Sequence, residues 1–594
     1  MKKILTASLI LASLGLLVSC GPGKARSEMG VEKVDLKFAQ EWTNDQPVKD
    51  GEVYKVGMVV TSPFKGILSP IHSDTADDGI ILGMISEEIF WQNDNFQRAD
   101  VEGGMASYHI DVDNKQVIIK FKEGLKWSDG EPLGVDDLIY TYEAVANKDY
   151  TGSRFDPIEL GKIVGLTDYH EGKANSISGL EKVSDTELRM HLTEVSSNLT
   201  VSGGALSISG MLLPKHYLKD VAMKDLETTD KLRTKTISNG KFVISKIVPG
   251  ESVEFVPNEY YYQGKQPVSK VVLKTLTPQL AVEALKQGEY HEIIGLPQDS
   301  YEKYKDLSNL AILGRPALNY SYLGFNLGHR DNEKGINIQD RDTPLQDVRV
   351  RQAVGYALNL QEIADAYYHG LRVRANGVIP PIFASFYDST LEGYDYNPEK
   401  AKELLKEAGY TDTNGDGIVD KDGKNLTLRL GMAGGSDVAE PITKALQQYW
   451  AAVGIDVQLT NGRLLDNNVL FEKMAANPDD MDIFAAGWSV GTSLDFGGTY
   501  SETGSFNFMR FVDKKNDELL KAINDPKGLT DPEYKANAYK EWQKYMISQA
   551  PIIPFMFKYD VSPVNKSVKR STVYIATEKS NSQVAVVAQP EIAK

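Results

Sequence analysis

Short apolar runs recur along the chain between segments of helical period, and several of those segments carry their own start and stop signals. Val53–Val60 (VYKVGMVV) and Gln116–Lys122 (QVIIKFK) predict strands, as do Leu426–Leu430 and Asp482–Ala486. Thr277-Pro278 predicts a helix start, with Thr277 as N-cap and proline in the first turn, and Gly288 marks its end. Asn397-Pro398-Glu399 opens another helix, whose Ala401, Leu404, Leu405 and Ala408 share one face before Gly409 stops it. Asp347 caps a segment bearing Val350, Ala353, Val354, Ala357 and Leu358, and Asn359 with Glu362 has the spacing of a capping box. Interleaved strands and helices predict an α/β architecture. At roughly 150 residues per domain, 594 residues imply about four domains.

The N-terminus departs from this pattern. Lys2 and Lys3 precede an apolar stretch, Ile4 to Val18, that is short for a membrane span and suits a secretory signal. It ends in Leu17-Val18-Ser19-Cys20, which resembles the lipobox of bacterial lipoproteins. The resemblance implies cleavage before Cys20, diacylglycerol on its sulfur and a further acyl chain, palmitate in type, on the new amine. Two or more chains anchor stably where one is marginal. Residues 21–50 are polar, glycine-bearing and aperiodic, which predicts a tether with a reach of roughly 30 Å. Residues 1–19 are thus expected to be the signal peptide and 20–50 a lipidated flexible tether. The folded body would lie at the outer face of the cell membrane, or in the periplasm of a Gram-negative envelope.

A formal net charge of −17 disfavours nucleic-acid and anionic-lipid binding. The lone cysteine excludes an intramolecular disulfide and a thiolate-rich zinc site. Gly487-Trp488-Ser489-Val490-Gly491 matches the G-x-S-x-G elbow of α/β-hydrolases, in which the base histidine follows the serine. The last histidine here is His369, so a serine hydrolase on Ser489 is the least favoured reading. Asp412-Thr413-Asn414-Gly415-Asp416-Gly417 matches half of a Ca²⁺ loop, but position 12 is Gly423, and an Asx-rich surface turn is the stronger reading. The eight histidines show no metal-ligand spacing. No cofactor, metal or catalytic residue is expected.

Six collinear stretches point to one family. They are Leu125-Lys126-Trp127-Ser128-Asp129-Gly130-Glu131-Pro132 with Val135–Glu143; Asn239–Phe242 with Pro249-Gly250-Glu251; Asp347–Ala353; Tyr396–Ala401; Gly487-Trp488-Ser489; and Ala550–Pro554. Together they resemble the family 5 extracellular solute-binding proteins, most closely the oligopeptide-binding lipoproteins of Gram-positive ABC importers. The resemblance implies a two-lobed, hinged, periplasmic-binding-protein-like fold of type II, with an extra domain inserted in the first lobe. Carried over, lobe I is 51–90, 205–310 and 550–594, the inserted domain 91–204, and lobe III 311–549. It also implies a monomeric receptor that delivers oligopeptides to ABC permease subunits. Relatives take dipeptides, metal chelates, haem or oligosaccharides, and a peptide sensor or adhesin would use the same cleft.

A receptor for varied peptides must bond the peptide main chain, since only that is constant. Strand-end segments supply such groups, which singles out Tyr320, Tyr322 and Asn326, and Gly487, Trp488 and Ser489. The two tyrosines read equally well as one face of a half-buried strand. Family relatives carry an Asp-Pro segment after Gly-Trp, whose carboxylate holds the peptide amine. Here the stretch is Gly491-Thr492-Ser493-Leu494-Asp495-Phe496, which leaves Asp495 either in that role or as an exposed loop acid. Asn507 and Phe508 resemble a family turn near the same cleft.

Overall fold

The computed structural model describes residues 37–60, 63–476, 479–492, 494–575, 577 and 583–589. The signal segment and Cys20 lie outside the described residues. Among those described, no helix is long and apolar enough to cross a membrane.

One sheet of eleven strands runs through both lobes. In the first lobe, Val53–Val59 lies parallel to Lys270–Leu276 on one side and to Glu292–Ile294 on the other. A strand flanked on both sides suits its near-continuous apolar sequence. In the third lobe, Thr427–Gly431, Asp456–Leu459 and Ile483–Ser489 form the corresponding half. Two long strands, Leu310–Phe325 and Ile552–Asn565, connect the halves. Leu310–Arg315 pairs with Asn565–Asp560 in the first lobe, and Tyr322–Gly324 pairs with Pro554–Ile552 in the third. Between them the register shifts from Pro316 to Tyr320. Pro316 has no N–H to give a ladder, so the pairing loosens where the chain crosses. The loosened pairing thus falls within the two long strands, at about 316–319 and 558–559.

The sequence signals account for the helices. Thr277 Oγ1 accepts from Leu280 N at the start of Pro278–Gln287, and Gly288 ends it at φ +67°. Asn397 caps Pro398–Glu407 through Lys400 N, with Ala401 and Leu405 buried. Asp347 caps Val348–Tyr356. At Asn359 the reciprocal contact differs from a capping box, because Glu362 Oε2 accepts from the Asn359 side-chain amide at 2.8 Å.

The inserted domain is a four-stranded antiparallel sheet packed on the helix Val135–Ala146. Its signature stretch is structural. Trp127 Nε1 donates to Asp137 Oδ2 (3.1 Å), and Asp137 also accepts from the Gly134 and Lys215 amides. Leu206, Leu213, Leu218 and Leu226 pack into the same core. The N-terminal boundary moves. The 20–50 stretch was expected to be a free tether, yet Glu41–Thr43 pairs with Arg570–Thr572 and Phe38 packs edge-on against Tyr301. The Asn44 side-chain amide, which donates to the Lys566 and Ala588 carbonyl oxygens, ties the same segment to the C-terminal stretch.

Candidate functional site

The strand Ile483–Ser489 pairs along its whole length with the crossing strand, from Phe325 back to Asn319. On its other edge, Thr427–Gly431 reaches only Ile483 and Phe484. Ala485–Ser489 therefore presents an edge that no described strand covers. Val490 N donates to Leu318 O, which sets the alternation and turns Ala485, Gly487 and Ser489 outward. Ser489 pairs with Asn319, so this open end lies where the chain passes between lobes. The backbones approach closely at Gly487: a Cβ there would stand 3.2 Å from the Tyr320 carbonyl oxygen, tighter than an ordinary contact.

Beside the edge is an aromatic wall. Trp488 stacks on Phe508 (centroids 5.9 Å, interplanar 19°) and meets Phe506 and Phe471 edge-on at 5.6 and 6.2 Å. Phe506 is 52 % and Phe471 37 % exposed, so two large rings of this wall face solvent. The Trp488 indole N–H points inward, beside the Tyr322 hydroxyl. Flat aromatic walls accept varied side chains at low entropic cost.

The site residues expected from sequence divide in two. Gly487, Trp488, Ser489 and Phe508 come together here. Tyr320 and Tyr322 do not offer their backbones, because both edges of their strand are occupied. Their rings are buried in the third-lobe core, where the Tyr320 hydroxyl meets that of Tyr500 at 2.8 Å. Asn326 and Asn507 are buried, and their amides bond carbonyls of their own lobe: Asn326 to Met481, Asn507 to Ser501 and Phe511. These four side chains lie within the third-lobe core beside the wall. Asp495 is exposed on the loop beyond Ser489, with Oδ1 accepting from Gly497 N at 2.9 Å. Sequence reasoning missed Phe471, which sits on a helix of weak amphipathic pattern, and Phe506, the neighbour of two residues it did select.

Ser489 has no base. Each histidine engages a group elsewhere, for example His72 with Ser69, His216 with Asp129 and His369 with Glu302. The half Ca²⁺ loop closes on itself, with Asp412 accepting from Gly415 N and Gly417 N, and Asp416 from Ile418 N. Among the described residues no cluster of His, Cys, Asp or Glu could hold a metal ion.

Two lobes joined by two crossing strands, with an uncovered strand edge at the crossing, are the arrangement of a two-lobed solute-binding protein. The chain matches the bacterial extracellular solute-binding proteins, family 5 (middle), over residues 100–509, and it belongs to that family. It is 33 % identical over 594 residues to the oligopeptide-binding protein OppA of Lactococcus lactis subsp. cremoris (strain SK11), covering 99 % of this chain and 98 % of that one. The solved structure of lactococcal OppA, complexed with an endogenous peptide in the closed conformation, superposes with a TM-score of 0.77 at 34 % identity. That match covers 87 % of this chain and 97 % of the other. AppA from Bacillus subtilis in complex with a nonapeptide shares the fold, with a TM-score of 0.68 at 24 % identity over 89 % and 97 % of the two chains.

Proposed function

We propose that this protein captures oligopeptides between its lobes and delivers them to an ABC importer, tethered to the outer face of the membrane by lipid on Cys20. The observation that carries the reading is the uncovered edge Ala485–Ser489 beside the Trp488 wall. An extended peptide adds there as a strand, its amides paired and its side chains against adaptable rings. Leaving such amides unpaired would cost about 1–3 kcal/mol each, so main-chain bonding is where sequence-independent affinity resides. The names printed for the lactococcal and Bacillus relatives support peptides as the solute class. No bond is made or broken in this function, in keeping with a family of binding proteins. The protein acts as a monomer, and the peptide drives closure by touching both lobes.

Native mass spectrometry of the purified protein tests the reading. Retained masses that fragment as short peptides support it. A single non-peptide mass, or no peptide binding by calorimetry after unfolding and refolding, overturns it. Metabolic labelling with a palmitate analogue, lost in Cys20→Ala, tests the anchor separately.

A further inference from the structure

A second cavity, of about 740 Å³, lies on the opposite flank of the crossing strands from Trp488. It opens where Ile552–Asn565 is left unpaired between Glu292–Ile294 of the first lobe and Arg372–Arg374 of the third. Gln298 bridges the gap, donating to Tyr559 O at 2.7 Å, while its Oε1 accepts from Arg372 Nε at 2.8 Å. The charged groups lining the cavity are Arg315, Arg372, Lys558 and Asp560. Asp560 is shared by Arg315 at 3.4 Å and Lys558 at 3.7 Å. Among the described residues Arg372 pairs with no carboxylate: its guanidinium lies 3.9 Å from the Tyr368 ring centroid, and its Nη groups make no hydrogen bond there. Three cations against one acid is a local excess of positive charge in a chain of net −17.

We propose that this hinge cavity binds a carboxylate, held in the fork of Arg372 and supported by Arg315 and Lys558. A guanidinium with a free edge matches a carboxylate in two parallel hydrogen bonds, and burial against Tyr368 fixes its plane. Burial also lowers the pKa values of Arg372 and Arg315, against the opposing pull of Tyr368 on the first and Asp560 on the second. An acid held there touches the first lobe at Gln298, the crossing strand at Lys558 and the third lobe at Arg372, so it favours one hinge angle.

The sheet register sets the distance to the first site. Trp488, Tyr320, Phe557 and Val373 lie in one row across four neighbouring strands. Three interstrand spacings are about 14 Å, the length of about four extended residues. The row runs across the strands and a peptide on the Ala485–Ser489 edge runs along them, so the acid comes from one of two sources: a carboxylate of a captured peptide whose chain continues past the Ser489 end of the edge and turns over the crossing strands, or a free small carboxylic acid. The first source rests on the peptide reading above; the second does not.

Calorimetry separates the cases. Pentapeptides of one neutral sequence, as free acid and as C-terminal amide, are titrated into the protein, and succinate and succinamide are titrated separately. Tighter binding of the acid peptide, by about tenfold, that disappears in Arg372→Met assigns the site to the peptide. Binding of succinate but not succinamide, lost in the same variant, assigns it to a free acid. Arg372→Lys, which keeps the charge without the fork, is expected to fall between. Equal binding of acid and amide in both pairs by the wild-type protein overturns the proposal, whatever the fold of the variants. If neither peptide binds but succinate does, the peptide reading fails while the hinge site stands.

Discussion

Between the third lobe and the inserted domain, Lys535 donates from Nζ to the Ser197 carbonyl oxygen at 2.9 Å. The same ammonium reaches Thr200 Oγ1 at 3.2 Å, and Ser197 returns a bond from Oγ to Ile523 O at 2.7 Å. Lys535 is 6 % exposed. The facing segment Ser197–Val201 carries no charge, and the Phe386 ring lies 5.9 Å away. Burial alone pushes its pKa down to about 8.

Closure should consequently be coupled to a proton. With the lobes apart the ammonium returns to water and to its ordinary value near ~10.4. The closed form then binds the proton more weakly, so its burial penalty is full below about pH 8 and is relieved as the pH rises toward 10. Peptide affinity is expected to strengthen across that window, by up to about tenfold per pH unit. Calorimetry near pH 9, in two buffers of different ionisation enthalpy, should report close to one proton released per peptide, and none in Lys535→Met. Identical heats in both buffers for the wild-type protein would refute the coupling.

Trp488→Ala removes the centre of the aromatic wall and is expected to weaken peptide binding about 30-fold, the scale of a buried interface anchor. Phe506→Ala should act in the same direction but more mildly. With half its surface exposed, Phe506 contributes little to folding, and its loss should move Tm by no more than about two degrees. Calorimetric affinities set beside thermal melts distinguish a ligand wall from a packing role. Unchanged affinity in both variants removes the wall from the site.

Local signals made the element ends legible, because Thr277, Asn397 and Asp347 each act on amides within three residues. Gly487-Trp488-Ser489 was legible as a motif. The fate of Tyr320 and Tyr322 was not, since alternation tells which residues share a face but not whether another layer covers it. Nor does alternation show whether a strand is central, and that is what removes their backbones from the ligand. Arg315, Arg372 and Lys558 are separated by 57 and 186 positions, so no spacing rule joins them; only the gap beside the second crossing strand does. Lys535 sits on a helix of mixed polar pattern and reads as solvated until the inserted domain is placed over it.

Asp495→Asn tests amine anchoring. Asp495 is exposed and its Oδ1 is already engaged by Gly497 N, so a pair with a peptide ammonium is screened and worth about 1 kcal/mol at most. The variant is expected to lose no more than about fivefold in affinity for free-amine peptides and nothing for N-acetylated ones. An equal loss for both forms would place Asp495 in loop structure and not at the ligand terminus.

Asp482, immediately before the ligand-facing strand, is the acid that holds the third-lobe half of the sheet in register. Its side chain is 8 % exposed and takes Arg341 Nη2 at 2.7 Å and Arg429 Nε at 3.0 Å, together with the Arg429 amide at 2.8 Å. Arg341 is also fixed by the Asn326 and Met481 carbonyls, so it cannot follow a lost partner into solvent without breaking those bonds. Asp482→Ala would leave one largely buried guanidinium uncompensated, at a cost of about 3–5 kcal/mol. Denaturant unfolding should record a loss of that size. The ligand edge begins three residues later and is set by its pairing with Asn319–Phe325, so affinity measured well below the new Tm should change less than tenfold. A stability loss under about 1 kcal/mol would mean that water already screens the Asp482 pairs, and the acid would then have no special hold on the strand.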